Sequence, residues 1–246
     1  MNESWIIPDW PAPANVHAVQ TTRAGGVSTG GYASLNLGDH VGDDPAVVAT
    51  NRAILRLALP AEPIWLKQVH GNVLADADRA VGIAEADAAV ARKSDVVCAV
   101  MTADCLPLLL CDESGTVVCA VHAGWRGLAG GVIEAAVAAM KVAPASLLVW
   151  LGPAIGPQAF EVGEEVRQAF LAYDPDAQKA FVPHAAATEQ KWLADIYLLA
   201  RQRLGLLGVT KVYGGGLCTF SDEERFFSYR RDGATGRLAS LIWLDS

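Results

Sequence analysis

Cys98-Ala-Val-Met-Thr-Ala-Asp-Cys105-Leu-Pro-Leu-Leu-Leu-Cys111-Asp-Glu-Ser-Gly115-Thr-Val-Val-Cys119-Ala-Val-His122-Ala-Gly-Trp-Arg126-Gly127 is the stretch from which the architecture can be read. It carries most of three nearly continuous apolar runs, 95–102, 106–111 and 116–123. The last two are joined by Asp112-Glu-Ser-Gly115, a turn-forming cluster that predicts a β-hairpin. Runs without polar alternation predict central strands covered on both faces. Downstream, Gly131–Lys141 has helical composition with a small-residue face, and Leu147–Leu151 reads as another buried strand, stopped by Gly152-Pro153. Glu164–Tyr173 and Lys191–Leu207 read as amphipathic helices; in the second, Trp192, Ile196, Leu199 and Arg203 share a stripe, with Asp195 in the first turns. Val209–Tyr213 and Leu238–Leu244 close the chain as strands. Upstream, Ile64–His70 alternates as a half-buried strand does, 21–28 is a glycine-bearing loop, and 1–15 is an irregular lead-in marked by Pro8, Pro11 and Pro13. Strands and helices interleave with no linker or repeat between them. The expected fold is a single mixed-sheet α/β domain spanning 1–246.

Composition narrows the function. The 246 residues are 52% hydrophobic and 19% charged, which excludes an intrinsically disordered chain. At this size about 70% of the extended chain's surface is buried on folding, enough for a core without covalent staples. Nineteen Lys/Arg against 27 Asp/Glu give a net charge of −8, a poor surface for neutralising phosphates, so no nucleic-acid partner is expected. The N-terminus has neither a basic nor a long apolar region of secretory type, and no apolar stretch spans a bilayer. Five cysteines, an odd number, fit a reducing compartment. A cytoplasmic protein without a membrane partner is expected. No GxGxxG or Walker-type loop follows a strand, which argues against a bound dinucleotide or P-loop nucleotide.

The chemistry-bearing residues form a dispersed trio: His70 in Gln68-Val-His-Gly, Cys105 in Thr102-Ala-Asp-Cys, and His122 in His122-Ala-Gly-Trp-Arg-Gly. Cys105 and His122 fall at the ends of the hairpin strands remote from its turn. Two imidazoles and a thiolate suit Zn²⁺ with a fourth position open, and the same set suits copper. Taken alone, the spacing leaves a second reading standing, in which Cys105 and His122 are a nucleophile and its base and Asp104 or Asp87 orients the imidazole. Cys98, Cys111 and Cys119 lie inside apolar runs and read as core residues. Candidate substrate-binding groups are Arg23, Asn36, Arg126 and the arginines at 225, 230, 231 and 237, the last set also explicable as a solvated face paired with neighbouring acids. His17, His40 and His184 have no visible partner.

These motifs, with Thr21-Thr-Arg-Ala-Gly-Gly-Val-Ser, Ser34-Leu-Asn-Leu-Gly-Asp-His-Val-Gly-Asp-Asp-Pro45, Gly152-Pro-Ala-Ile-Gly-Pro, Phe160-Glu-Val-Gly and Phe226-Phe-Ser-Tyr-Arg-Arg-Asp-Gly, resemble the YfiH-like family in order from about Thr21 to Leu244. That family is also called the laccase-domain or polyphenol-oxidase family and peptidoglycan editing factor. The resemblance implies a single α/β domain sharing its core with a cytotoxic-factor deamidase, and a metal site, usually zinc, at His70, Cys105 and His122. It also implies phosphorolysis of adenosine, inosine and methylthioadenosine, and deamination of adenosine. Five histidines are too few for the copper assembly of a true laccase, which makes that activity the weakest reading. Deamination needs a proton-carrying carboxylate, for which Asp104 is the candidate, and phosphorolysis needs cations on phosphate, for which Arg23, Arg126 and Arg230 are candidates. The expected protein is a zinc-dependent purine nucleoside phosphorylase with adenosine deaminase activity, a monomer or weak homodimer whose partners are small molecules. The alternative is a Cys105–His122 hydrolase or amidase acting on peptidoglycan precursors.

Overall fold

A computed structural model describes residues 3–184 and 190–245; the first two residues of the expected lead-in lie outside them. The hairpin forms as read, with Leu106–Asp112 antiparallel to Val118–Ala123 and every residue of both strands buried. It is the centre of a six-stranded sheet. Leu147–Leu151 flanks it on one side, followed by Lys211–Gly214 in parallel. On the other side Ala88–Ala91 pairs antiparallel with Val118–Ala123 and is followed by Leu74–Asp76 in parallel. Parallel and antiparallel pairs thus share one sheet, as the mixed-sheet reading requires. A second sheet is wholly antiparallel, with Leu238–Leu244 between Val16–Gln20 and Cys98–Thr102.

The period of two along the hairpin sorts its side chains into two cores. Leu106, Leu108, Leu110, Cys119 and Val121 face one way, packing with Val132, Ile133 and Ala136 of helix Val132–Met140 and with Leu199, Ala200 and Leu204 of helix Ile196–Leu206. Leu109, Cys111, Val118 and Ala120 face the other way, against Cys98, Val100 and Ile242 of the second sheet. That sheet's outer face, through Ala99, Met101 and Leu241, packs on Leu35, Leu37 and Leu55, the last from helix Pro45–Arg56. The layers run helices, sheet, sheet, helix and loops. This explains why the central runs are apolar on both faces.

Several elements differ from the sequence reading, each for a local reason. The helix expected from Lys191 begins at Ile196, because the Asp195 side chain accepts from Leu198 N–H and caps it. Trp192–Ala194 ahead of it is a strand between Glu161–Val162 and Phe181–Pro183. The strand expected at Ile64–His70 shrinks to Leu66–Lys67, since His70 takes a left-handed backbone (φ 60°). Strand Cys98–Thr102 starts later than the apolar run from Asp95, which is itself left-handed (φ 62°). Helix Pro45–Arg56 carries no alternation that stands out, yet Asp44 accepts from Ala46 N–H as its N-cap and Pro45 fills the first turn, a start signal present in the sequence.

Candidate metal centre

The strand pairing places the site. Pro107 lies opposite His122, and parity puts the His122 side chain on the face of Ala120, toward the second sheet, at the hairpin's open end. Strand Cys98–Thr102 of the second sheet ends beside it, and the link through Ala103 and Asp104 (φ 85°) delivers Cys105 to the same mouth between the sheets. His70 arrives on a loop. The ligand atoms of His70, Cys105 and His122 lie within 4.8 Å of one another, with Cys105 Sγ 3.7 Å from His70 Nε2 and the imidazoles edge to face at 4.8 Å between centroids.

Asp87 organises this trio. It immediately precedes Ala88–Ala91 and continues that ladder, its carbonyl accepting from His122 N–H at 2.7 Å. Its carboxylate, wholly buried, accepts from His122 Nδ1 at 2.8 Å. It also accepts from the backbone N–H groups of Val69 (3.2 Å), His70 (2.9 Å) and Gly71 (2.7 Å). One carboxylate therefore orients one imidazole and fixes the loop that carries the other. With Nδ1 engaged, His122 is left with Nε2 for a ligand. Burial opposes the charge on Asp87, but the bonds from His122 and Gly71 outweigh it and hold the carboxyl below its ordinary range. Between the two sequence candidates for orienting the imidazole, the structure selects Asp87. The carboxylate of Asp104 instead accepts from Thr219 Oγ1 at 2.6 Å and from Arg230 N–H at 2.7 Å.

Burial disfavours the Cys105 thiolate, yet His122 and His70 beside it bring the thiol down to about 6. Burial likewise disfavours a charged His122, but Cys105 and Asp87 push the imidazole up to about 9. Each of the two groups thus favours the charged form of the other. Such a donor set fits a soft or borderline cation: Zn–N of about 2.0–2.1 Å and Zn–S of about 2.3 Å put tetrahedral donors about 3.3–3.6 Å apart, close to the Cys105–His70 separation and tighter than the 4.8 Å that bounds the trio. Gly124 backs the centre, where a Cβ would stand 2.6 Å from His70 Cδ2 and 3.1 Å from Cys105 Sγ.

The trio opens into a cavity of about 450 Å³. Asp104, Arg126 and Arg230 line it as expected. His40, Gln68, Trp125, Phe160 and Arg237 line it as well, and of these the sequence had placed only Arg237 among the candidate substrate-binding groups. Arg23 and Asn36 are not brought there. Arg23 donates to the carbonyls of Ala33 and Glu223 and packs on the Phe227 ring, while buried Asn36 bridges Gly38, Asp43 and Arg237 N–H. Arg225 pairs with Asp222 on an exposed face, as the solvated-face reading has it, whereas Arg231 pairs with Asp232 but is largely buried and donates to the carbonyls of Thr219, Phe220 and Phe226. His17 and His184 are paired with Asp245 and Glu161. Among the described residues, no helix is long and apolar enough to cross a membrane.

A Pseudomonas aeruginosa protein named purine nucleoside phosphorylase is 58% identical over 241 residues, covering 98% of each chain. An Escherichia coli protein named purine nucleoside phosphorylase YfiH is 54% identical over 242 residues, covering 97% of this chain and 98% of its own. The crystal structure of a Neisseria meningitidis protein of the DUF152 family superposes with a TM-score of 0.95 at 53% identity, covering 99% of this chain and all of that one. Residues 17–245 match the family described as multi-copper polyphenol oxidoreductase laccase, and with these relatives at its full length the chain belongs to that laccase-like family, whose members here include the proteins named YfiH.

Proposed function

We propose that the chain is a purine nucleoside phosphorylase with zinc at His70, Cys105 and His122. The observation that carries this reading is one cavity lined both by that donor trio and by three arginines, in a chain whose relatives bear the name. Phosphorolysis forms a bond from a phosphate oxygen to C1′ of the ribose as the C1′–N9 bond breaks. The electron pair leaves with the base, which takes up a proton. Positive charge develops on the ribose, so an anion must be held against it. Arg126, Arg230 and Arg237 hold that anion, the guanidinium fork matching phosphate oxygens. Asp104 positions Arg230 through its backbone N–H. Trp125, Ile155 and Phe160 supply the apolar wall on which a purine stacks. Zinc bound at the trio supplies Lewis acidity toward a substrate heteroatom. For adenosine deamination in the same cavity, Asp104 is the lining carboxylate able to carry a proton. All five cysteines are free, which supports a cytoplasmic setting.

One observation favours a second reading: Asp87, His122 and Cys105 stand in line as orienter, base and thiolate, the arrangement of a cysteine hydrolase. Laccase chemistry draws no such support, since among the described residues only one group of three or more ligands converges. The deciding experiment assays adenosine and inosine with and without phosphate, before and after chelation, alongside metal analysis of wild type and Cys105→Ala. Phosphate-dependent base release that chelation abolishes, with zinc lost in the variant, is expected. Nucleosides untouched by zinc-loaded protein overturn the phosphorylase reading, and an activity that survives chelation favours the hydrolase.

A further inference from the structure

A second cavity of about 480 Å³ shares His40, Gln68 and Met101 with the first. Small-molecule sites commonly span about 300–1,000 Å³, so the first cavity suffices for a nucleoside and phosphate, and the second has no occupant in that reaction. The shared wall is ordered. Gln68 Nε2 donates to Met101 O at 2.8 Å, and Met101 N–H donates to Gln68 Oε1 at 2.7 Å, as a neighbouring strand would.

The chemistry of the second cavity is uneven. Trp65, Leu66, Ile83 and Met101 give it an apolar side, whereas Asp39 and Arg52 place opposed charges together, 3.3 Å apart. The Arg52 guanidinium lies 4.2 Å over the Trp65 ring and is fixed by Leu37 O at 2.9 Å. Asp39 also faces His40 at 3.4 Å, and Lys67 at the outer edge is paired with Glu85. A fixed pair of opposed charges complements a ligand group with the reverse arrangement, a zwitterion, and the apolar side complements a hydrocarbon or thioether linker. The aromatic wall of Trp125 and Phe160 belongs to the first cavity alone, so a nucleoside stacked on it has room to reach past Gln68 and Met101 into the second.

We propose that the second cavity is a subsite for purine nucleosides extended at the 5′ position by an apolar linker ending in an amino-acid head group. This rests on the phosphorylase reading above. The bond changes are the same, with C1′–N9 broken and C1′–O formed, and the appendage takes no part in them.

The test measures kcat/KM for adenosine, for its 5′-S-homocysteinyl thioether and for its neutral 5′-isobutylthio analogue in wild type, Ile83→Trp and Asp39→Asn. Both positions lie outside the first cavity and are solvent-exposed. Ile83→Trp is expected to lower both extended substrates about tenfold or more, the scale of a blocked apolar pocket. Asp39→Asn is expected to lower only the zwitterionic one, and adenosine stays unchanged in both. An extended nucleoside handled identically by all three proteins overturns the subsite and leaves phosphorolysis standing. If wild type cleaves no nucleoside, the phosphorylase reading falls and calorimetric binding of the homocysteinyl thioether decides the subsite. Affinity weakened in both variants supports it, and absent or unaltered affinity overturns it.

Discussion

Asp87 accepts four hydrogen bonds, three from consecutive backbone N–H groups and one from an imidazole, so its charge is distributed over the segments that carry His70 and His122. Asp87→Asn keeps the shape but cannot accept all four. Partners of this kind typically contribute about 10–100-fold to metal affinity, and a loss of that size is expected in competition with a chromophoric chelator. The two neighbouring ionisations also set a pH signature in metal-free protein. His122, raised from 6.5 to about 9, adds stability that is complete below 6.5 and lost as pH climbs to about 9. Cys105, lowered from 9.0 to about 6, adds stability that is complete above 9.0 and lost as pH falls to about 6. Between those limits the trends oppose each other and urea-unfolding stability stays nearly level. Cys105→Ser removes the thiolate that does most to raise His122, so the His122 trend shrinks along with that of Cys105 and the variant's profile is also expected to stay nearly level; a steep fall in its stability between pH 6.5 and 9 would contradict the coupling.

At the scale of elements, the hairpin Leu106–Ala123 is both core and scaffold. Leu109 is fully buried between the sheets, and Leu109→Ala is expected to cost about 2–5 kcal/mol in urea unfolding. At the helix start, Asp195→Ala is expected to cost about 1 kcal/mol by the same measurement, leaving the metal centre intact. The hairpin was legible because its strands are covered on both faces and so lack polar alternation, and the family motifs marked the three ligands. Trp192–Ala194 was not legible as a strand, because its helical spacing with Ile196 runs through a cap that only the fold reveals. Ala88–Ala91, four small residues without β-branching except Val90, carries little strand signal on its own and is a strand through its neighbour Val118–Ala123. That Arg23 and Asn36 lie away from the cavity was not legible for a related reason, since the carbonyls and amides that occupy them come from segments up to about 200 residues away.

For the whole molecule, a metal held by His70, Cys105 and His122 would tie separate layers together. A ligand that binds the folded state alone raises its stability by about 4 kcal/mol at a thousandfold excess over Kd. Added zinc is accordingly expected to raise the Tm of wild type, and to leave that of Cys105→Ala unmoved, in differential scanning fluorimetry. The second sheet adds a condition of its own. Its middle strand, Leu238–Leu244, is the last of the chain, and both Val16–Gln20 and Cys98–Thr102 hydrogen-bond to it. The strand that leads into Cys105 is therefore held by Ile64 and Gln68 along one edge and by Leu238–Leu244 along the other. The position of the Cys105 thiol thereby depends on pairing with a segment remote from it in sequence.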